Sequence, residues 1–151
     1  PAGARYRLPT DVEWSAAAGL SDEPGTDPEA RHSKTDGHFP WSPATAWPPP
    51  LRSANLDAPK IPGFDDGHAY TCPVTANEPN ALGFHELGGN VSEWCADAWP
   101  GAPEERVHRG GSWLSSTREE LLTSRRGHAP QDVSRGNIGF RCALELPATA
   151  P

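Results

Sequence analysis

The sequence predicts a loop-rich α+β domain with little regular secondary structure, on three observations. Among 151 residues, 18 are proline and 15 glycine, while apolar types reach only 35%, a balance that favours turns and short elements. One segment carries a complete helix-start signal, and only a few short runs have strand character. Six tryptophans supply the bulk that a compact core needs when few elements bury it. The length suits one domain, or one domain less a piece. No Met occurs, even at position 1, so the chain is read as an excised domain or processed fragment.

The elements follow in order. Thr10-Asp11-Val12-Glu13 is a capping box: Thr10 at the N-cap and Glu13 three residues on satisfy each other's orphan amides. Asp11 also suits the positive end of the helix dipole. The helix runs through Ser15-Ala16-Ala17-Ala18 and ends at Gly19, with Trp14 pointing into the core. From Ser21 to Gly63 the chain is irregular, and Trp47-Pro48-Pro49-Pro50 is extended or turn. So long a stretch is either an excursion packed by Phe39, Trp41 and Trp47 or partly mobile. Tyr70–Val74 is a short edge strand at best, because of Pro73.

Leu82–Trp99 is the organising stretch. Gly88-Gly89-Asn90 turns at little conformational cost and can aim several carbonyls one way. Val91–Cys95 then reads as a strand, with Val91, Glu93 and Cys95 on one face and Ser92 and Trp94 on the other. Arg106–Trp113 reads as a strand closed by Gly110-Gly111. Ser116–Glu120 nucleates a helical turn, Leu121–Arg125 reads as a strand, and Ile138–Leu144 is the last strand before a frayed tail over 145–151.

Net charge is −7, which argues against a general nucleic-acid binder. Between Arg106 and Arg141, however, seven arginines face only Glu119, Glu120 and Asp132. Those arginines either attract an anionic ligand or hold a loop-rich half together. No apolar run approaches the roughly 18 residues of a membrane span, and no signal-peptide pattern opens the chain. Of three cysteines, Cys95 and Cys142 are either bonded or two buried thiols, so the compartment stays open. The six histidines show no metal-ligand spacing and read as scattered surface residues.

The blocks R-L-P-T-D-V-E-W, F-P-W, A-N, D-D-G, P-N-A-L-G-F, G-G-N-V-S-E-W-C-A-D, R-V-H-R-G-G-S-W and G-F-R-C-A stand in an order that resembles the formylglycine-generating-enzyme superfamily, also called the sulfatase-modifying-factor family. The resemblance runs from about Arg5 to Leu144 and implies a variant of the C-type lectin fold. It does not reach the family's N-terminal strands and helix, so either they were removed, with an upstream domain expected on the native chain, or this member is short. The Gly19–Asn55 spacing looks most like members fused to bacterial serine/threonine kinases.

In catalytic members two cysteines, five positions apart after G-G-S-[aromatic], hold copper as thiolates. Here Ser115 and Glu120 align with them. Neither replaces a thiolate for Cu(I), so the resemblance implies no copper and no formylglycine generation. A divergent oxidoreductase is the weaker alternative, because no nucleophile–base pair stands at a recognisable spacing. The family's structural calcium implies two oxygen sets. One maps to Asn55 and Asp66 side chains with Leu56 and His68 carbonyls. The other maps to carbonyls of Gly88, Gly89 and Val91 with the carboxylate of Glu93. Their readings without metal are an Asx-turn pair, and a partner of Arg109 or Arg141.

Non-catalytic members bind ligand on one exposed face after G-G-S-W and before G-F-R. Here that face comprises Trp113, Leu114, Ser115, Ser116, Thr117, Arg118, Glu119 and Glu120. It continues through Leu122, Ser124 and Arg126 to Gln131, Asp132 and Val133. Variable proteins of diversity-generating retroelements place their diversified residues in this segment. The expected partner is a protein or small ligand on the 113–135 face, with Trp113 either exposed or a core residue beside the turn. Sensing or docking for a kinase on the same chain is the alternative.

Overall fold

The computed structural model describes residues 3–147. It has a four-stranded sheet, a two-stranded sheet, two short helices and long ordered loops. Strand β1 (Arg5–Arg7) leads through Pro9 into helix α1 (Asp11–Ala17). The capping box forms as the sequence predicts, with Thr10 Oγ1 accepting from the Glu13 amide and Glu13 accepting from the Thr10 amide. Gly19 ends the helix at φ +83°, a conformation costly to a residue with a side chain. Trp14 points inward and is 1% exposed.

The long 21–63 excursion is packed. Phe39, Trp41, Ala54, Leu56, Ile61 and Phe64 form one apolar core with Leu121 and Leu122, and Phe39 stacks on Trp41 at 5.0 Å. The excursion also contains a helix the sequence reading omits, α2 (Pro28–Arg31), where Asp27 caps the Ala30 amide and Pro28 opens the first turn. Burying aromatic rings holds this segment where regular hydrogen bonding does not.

Strands β2 (Ser92–Trp99), β3 (Ala102–Arg109) and β4 (Arg126–Pro130) pair antiparallel in succession. Strand β5 (Ile138–Gly139) adds to β2 in parallel. Glu93 and Cys95 turn inward, Cys95 joining Trp14, Leu87 and Val107 in a second core. Strand β6 (Ala143–Glu145) pairs with β1, closing the chain ends on each other. The predicted last strand is therefore two pieces in two sheets, separated by the turn of Arg141 toward Glu93.

Four further expectations fail. Leu121–Arg125 is a turn, because Leu121 and Leu122 enter one core while Thr123 and Ser124 are buried among backbone partners. Tyr70–Val74 forms no strand; the Asn90 side chain bridges the Cys72 amide and carbonyl at 3.1 and 3.2 Å, taking the place of a neighbouring strand. Cys95 and Cys142 are both free, the first buried and the second exposed. Glu145 belongs to β6 rather than to a frayed tail, and 148–151 lie outside the described residues.

Candidate functional site

The site is built on the Gly88-Gly89-Asn90 turn. A side chain on Gly89 would strike the Asn55 carbonyl, and one on Gly88 would meet Trp41 at 2.8 Å. Only glycine lets the turn lie against the 53–56 segment, where the Asn90 amide donates to the Asn55 carbonyl at 2.8 Å. This contact fixes Asn55, which is fully buried. Its Nδ2 donates to Asp66 Oδ2 at 3.3 Å, but its Oδ1 has no partner. Asp66 accepts from the amides of Leu56 at 2.6 Å and His68 at 2.9 Å. A buried orphan oxygen costs about 1–3 kcal/mol. Beside a carboxylate met only by neutral donors, it marks a place suited to a hard cation.

The second predicted oxygen set differs. Gly88, Gly89 and Val91 are in place, but Glu93 accepts from Arg141 at 2.6 Å on each oxygen and from Trp14 Nε1 at 2.8 Å. Its charge is neutralised by a guanidinium, which matches the ion-pair reading with Arg141. Sequence reasoning overlooked Glu86, which is 6% exposed at φ +57°. It accepts from Asn77 Nδ2 at 2.6 Å, Cys72 Sγ at 3.3 Å and the Asn55 amide at 3.0 Å. Its position just before the Gly-Gly turn was the available signal.

Next to this cradle runs the turn after Gly110-Gly111. The Ser112 amide donates to Ser115 Oγ at 3.1 Å, and the Ser115 carbonyl accepts from the Asp57 amide at 3.0 Å. Glu120 accepts from the Ser116 and Thr117 amides, each at 3.1 Å, and its own amide donates to Thr117 Oγ1 at 3.3 Å. Burial pulls the Glu120 pKa up, yet these amide bonds outweigh it and the net shift is downward. Ser115 and Glu120, which the resemblance sets against thiolates, are therefore groups that brace the loop.

Trp113 is half-buried, with Nε1 donating to the Gly136 carbonyl at 3.3 Å and its ring edge-on to Tyr70. With the exposed Leu114 it forms one wall of a cleft of about 460 Å³. Leu56, Asp57, Asp65 and His68 form the other wall, so the Asn55–Asp66 cluster and the predicted face share a border. Thr117, Glu119, Gln131 and Asp132 are exposed, while Ser115, Ser116 and Val133 are partly so. Arg118 is tied to Asp36 at 2.7 Å.

Leu122, Ser124 and Arg126 do not belong to this face. Leu122 is in the core and Ser124 donates to the Thr35 carbonyl. Arg126, 1% exposed, is clamped by Asp11 and Glu23. Arg109 lies beside it, fully buried and paired with Asp11. Burial would raise the Asp11 pKa, but Arg109 and Arg126 outweigh it and hold the carboxyl below its ordinary value. Two of the arginines that sequence alone left ambiguous thus hold the loop-rich half together. Burial and then Glu86 push the Cys72 thiol up to about 12, and burial raises Cys95 further, so neither offers a thiolate at neutral pH.

Residues 2–146 match the sulfatase-modifying factor enzyme 1-like domain. The chain belongs to this family. It is 31% identical over 166 residues to the formylglycine-generating enzyme of Streptomyces coelicolor, covering 95% of this chain and 48% of that protein. It is 35% identical over 147 residues to the inactive C-alpha-formylglycine-generating enzyme 2 of Bos taurus, covering 91% and 43%. A 31% match to the serine/threonine-protein kinase Pkn1 of Chlamydia trachomatis covers 93% of this chain and 21% of the kinase. The family member thus spans about half the length of the first two relatives. Among solved structures, PvdO from Pseudomonas aeruginosa superposes with TM-score 0.62 at 26% identity, covering 95% of this chain and 54% of PvdO. Variable protein 1 of Treponema denticola superposes with 0.57 at 25%, covering 94% and 48%. These likenesses bear out the loop-rich α+β architecture and include both active and inactive relatives.

Proposed function

We propose that this domain is a non-catalytic binding module that recognises its ligand at the cleft between Trp113–Leu114 and the 56–68 loop. The observation that carries the proposal is the chemistry at positions 115 and 120. Ser115 and Glu120 are a hydroxyl and an acid committed to backbone amides, and Cu(I) requires soft thiolate ligands instead. The half-exposed Trp113 beside exposed Leu114 and polar loop residues is the mix that anchors recognition surfaces. The kinship with an inactive relative and with a variable protein supports the same reading.

The cradle of Asn55 and Asp66 would hold calcium, with carbonyls of Leu56 and His68 completing the shell. A bound cation would supply a fixed positive charge that stiffens one wall of the cleft. The kinase match favours a second reading, in which the cleft docks or senses for a kinase on the same chain.

The test is to incubate the protein, as this chain and within its complete reading frame, with Cu(I) and a cysteine-containing peptide. Neither form is expected to retain an equivalent of copper or to yield an aldehyde. Copper retention together with aldehyde formation would overturn the proposal.

A further inference from the structure

A second cleft, of about 510 Å³, opens at the edge strand β4 and is bordered by Glu29, His32, Trp99, His108, Arg125 and His128. Three of the six histidines that the sequence suggested were scattered converge here. Trp99 stands between two of them, stacked on His128 at 4.1 Å and edge-on to His32 at 6.3 Å between ring centroids. Among the described residues no group of His, Cys, Asp and Glu is arranged to hold a metal, so another ligand chemistry is needed.

Two donors face the His32 ring, and a neutral imidazole can accept from only one of them. Its Nδ1 accepts the Arg126 backbone N–H at 3.2 Å, so the neutral ring carries its hydrogen on Nε2. Burial, then the Arg125 charge, lowers the His32 pKa and favours that neutral ring. Its Nε2–H then faces Arg125 Nη1 at 3.0 Å. Both groups are donors and neither can accept from the other. Arg125 is exposed and is engaged by no carboxylate among the described residues, whereas Arg126 is neutralised by Asp11 and Glu23. On another wall, His108 lies over Gly127, where any side chain would collide with its ring. Its Nδ1 is buried without a partner, and burial pushes its pKa down to about 4.

We propose that this cleft binds a phosphate group, inorganic or ester-linked, whose oxygen accepts jointly from Arg125 Nη1–H and His32 Nε2–H. That oxygen turns a repulsive donor pair into two charge-assisted bonds. The His108 ring borders the other wall, with its unpartnered Nδ1 buried behind it. Phosphate brings more negative charge and more acceptor oxygens than a carboxylate does, which favours it beside a guanidinium that no acid neutralises. The opposing charges are Glu29 at the rim and Glu105, which is already in contact with His128.

The test is a titration of histidine ring resonances with inorganic phosphate, phenyl phosphate and acetate, at pH 7 and low salt. Saturable shifts of His32 and His108 are expected with either phosphate. Arg125→Gln should weaken binding about tenfold or more, and Glu29→Gln should tighten it. Arg125 and Glu29 are exposed, and near-UV circular dichroism checks that both variants keep the fold. Tighter binding of phenyl phosphate assigns the site to esters, and equal or weaker binding to free phosphate. Shifts that do not saturate, unchanged affinity in Arg125→Gln, or acetate binding as tightly as phosphate would overturn the proposal.

Discussion

Behind the four-stranded sheet, Asp11 is met by Arg109 and Arg126, and Glu23 by Arg126. Around the Gly88-Gly89 turn, Asp66 and Glu86 meet only backbone amides, two side-chain amides and a thiol, and Asn55 Oδ1 meets nothing. The first region is buried and the second partly so, with Asn55 and Glu86 buried and Asp66 half-buried, and burial penalises unpaired charge. The first carries its own cations, so it is complete without a ligand. The second has a surplus of oxygen, and a cation from solution would balance it. Glu93 shows how little separates the two states, since one arginine, Arg141, moves that acid from the second class to the first.

The largest effect should come from breaking the self-sufficient region. Arg109→Met leaves Asp11 buried with less compensation and removes bonds to the Ser15 hydroxyl and the Thr123 carbonyl. A loss of about 3–5 kcal/mol is expected from breaking such a pair, measured by urea denaturation. The double variant Arg109→Met with Asp11→Leu should recover part of it, because the orphaned charge is gone. Because Asp11 is held below its ordinary pKa, its contribution is full above the carboxylate range and fades as pH falls through it. A loss below about 1 kcal/mol in the single variant would mean water reaches this region and the contrast is false.

The second effect concerns the oxygen-rich region. Calcium at about a hundred times its dissociation constant should stabilise the protein by about 2–3 kcal/mol, and a chelator should reverse the gain. Asp66→Ala should remove the calcium response, with its own cost from the unpaired Leu56 and His68 amides. Thermal melts with calcium and with chelator, on both proteins, decide it. A response that survives in Asp66→Ala would place the cation elsewhere, and no response in the parent would return Asn55 and Asp66 to an Asx-turn pair.

How much of this was legible depended on whether a residue's role is local. Thr10 and Glu13 lie three positions apart and satisfy each other within one turn, so their pattern survives in the sequence. The Gly88-Gly89 turn was equally visible, since it needs only residues that bend. Depth was not visible. Arg125 and Arg126 are neighbours, yet one is exposed and the other is 1% exposed. That difference is made by Asp11 and Glu23, each about a hundred residues away. Leu121–Arg125 carried strand-like composition, but its burial comes from loop packing rather than from a ladder, and composition cannot separate the two. The convergence of His32, His108 and His128 likewise needed the sheet edge and α2 to be assembled first.

Glu120 gives the smallest effect and the finest comparison. It is an acid at the surface, served by two backbone amides, so it needs neither an arginine nor a metal. Glu120→Ala should cost about 1 kcal/mol, the scale of a lost cap, and should quicken hydrogen exchange at the Ser116 and Thr117 amides. The calcium response of Asp66 should be unchanged, since Glu120 is no part of that cradle. If the loss instead approached that of Arg109→Met, the 115–120 turn would be a buried element of the fold, and the cleft beside Trp113 would lose its claim to be a free recognition surface.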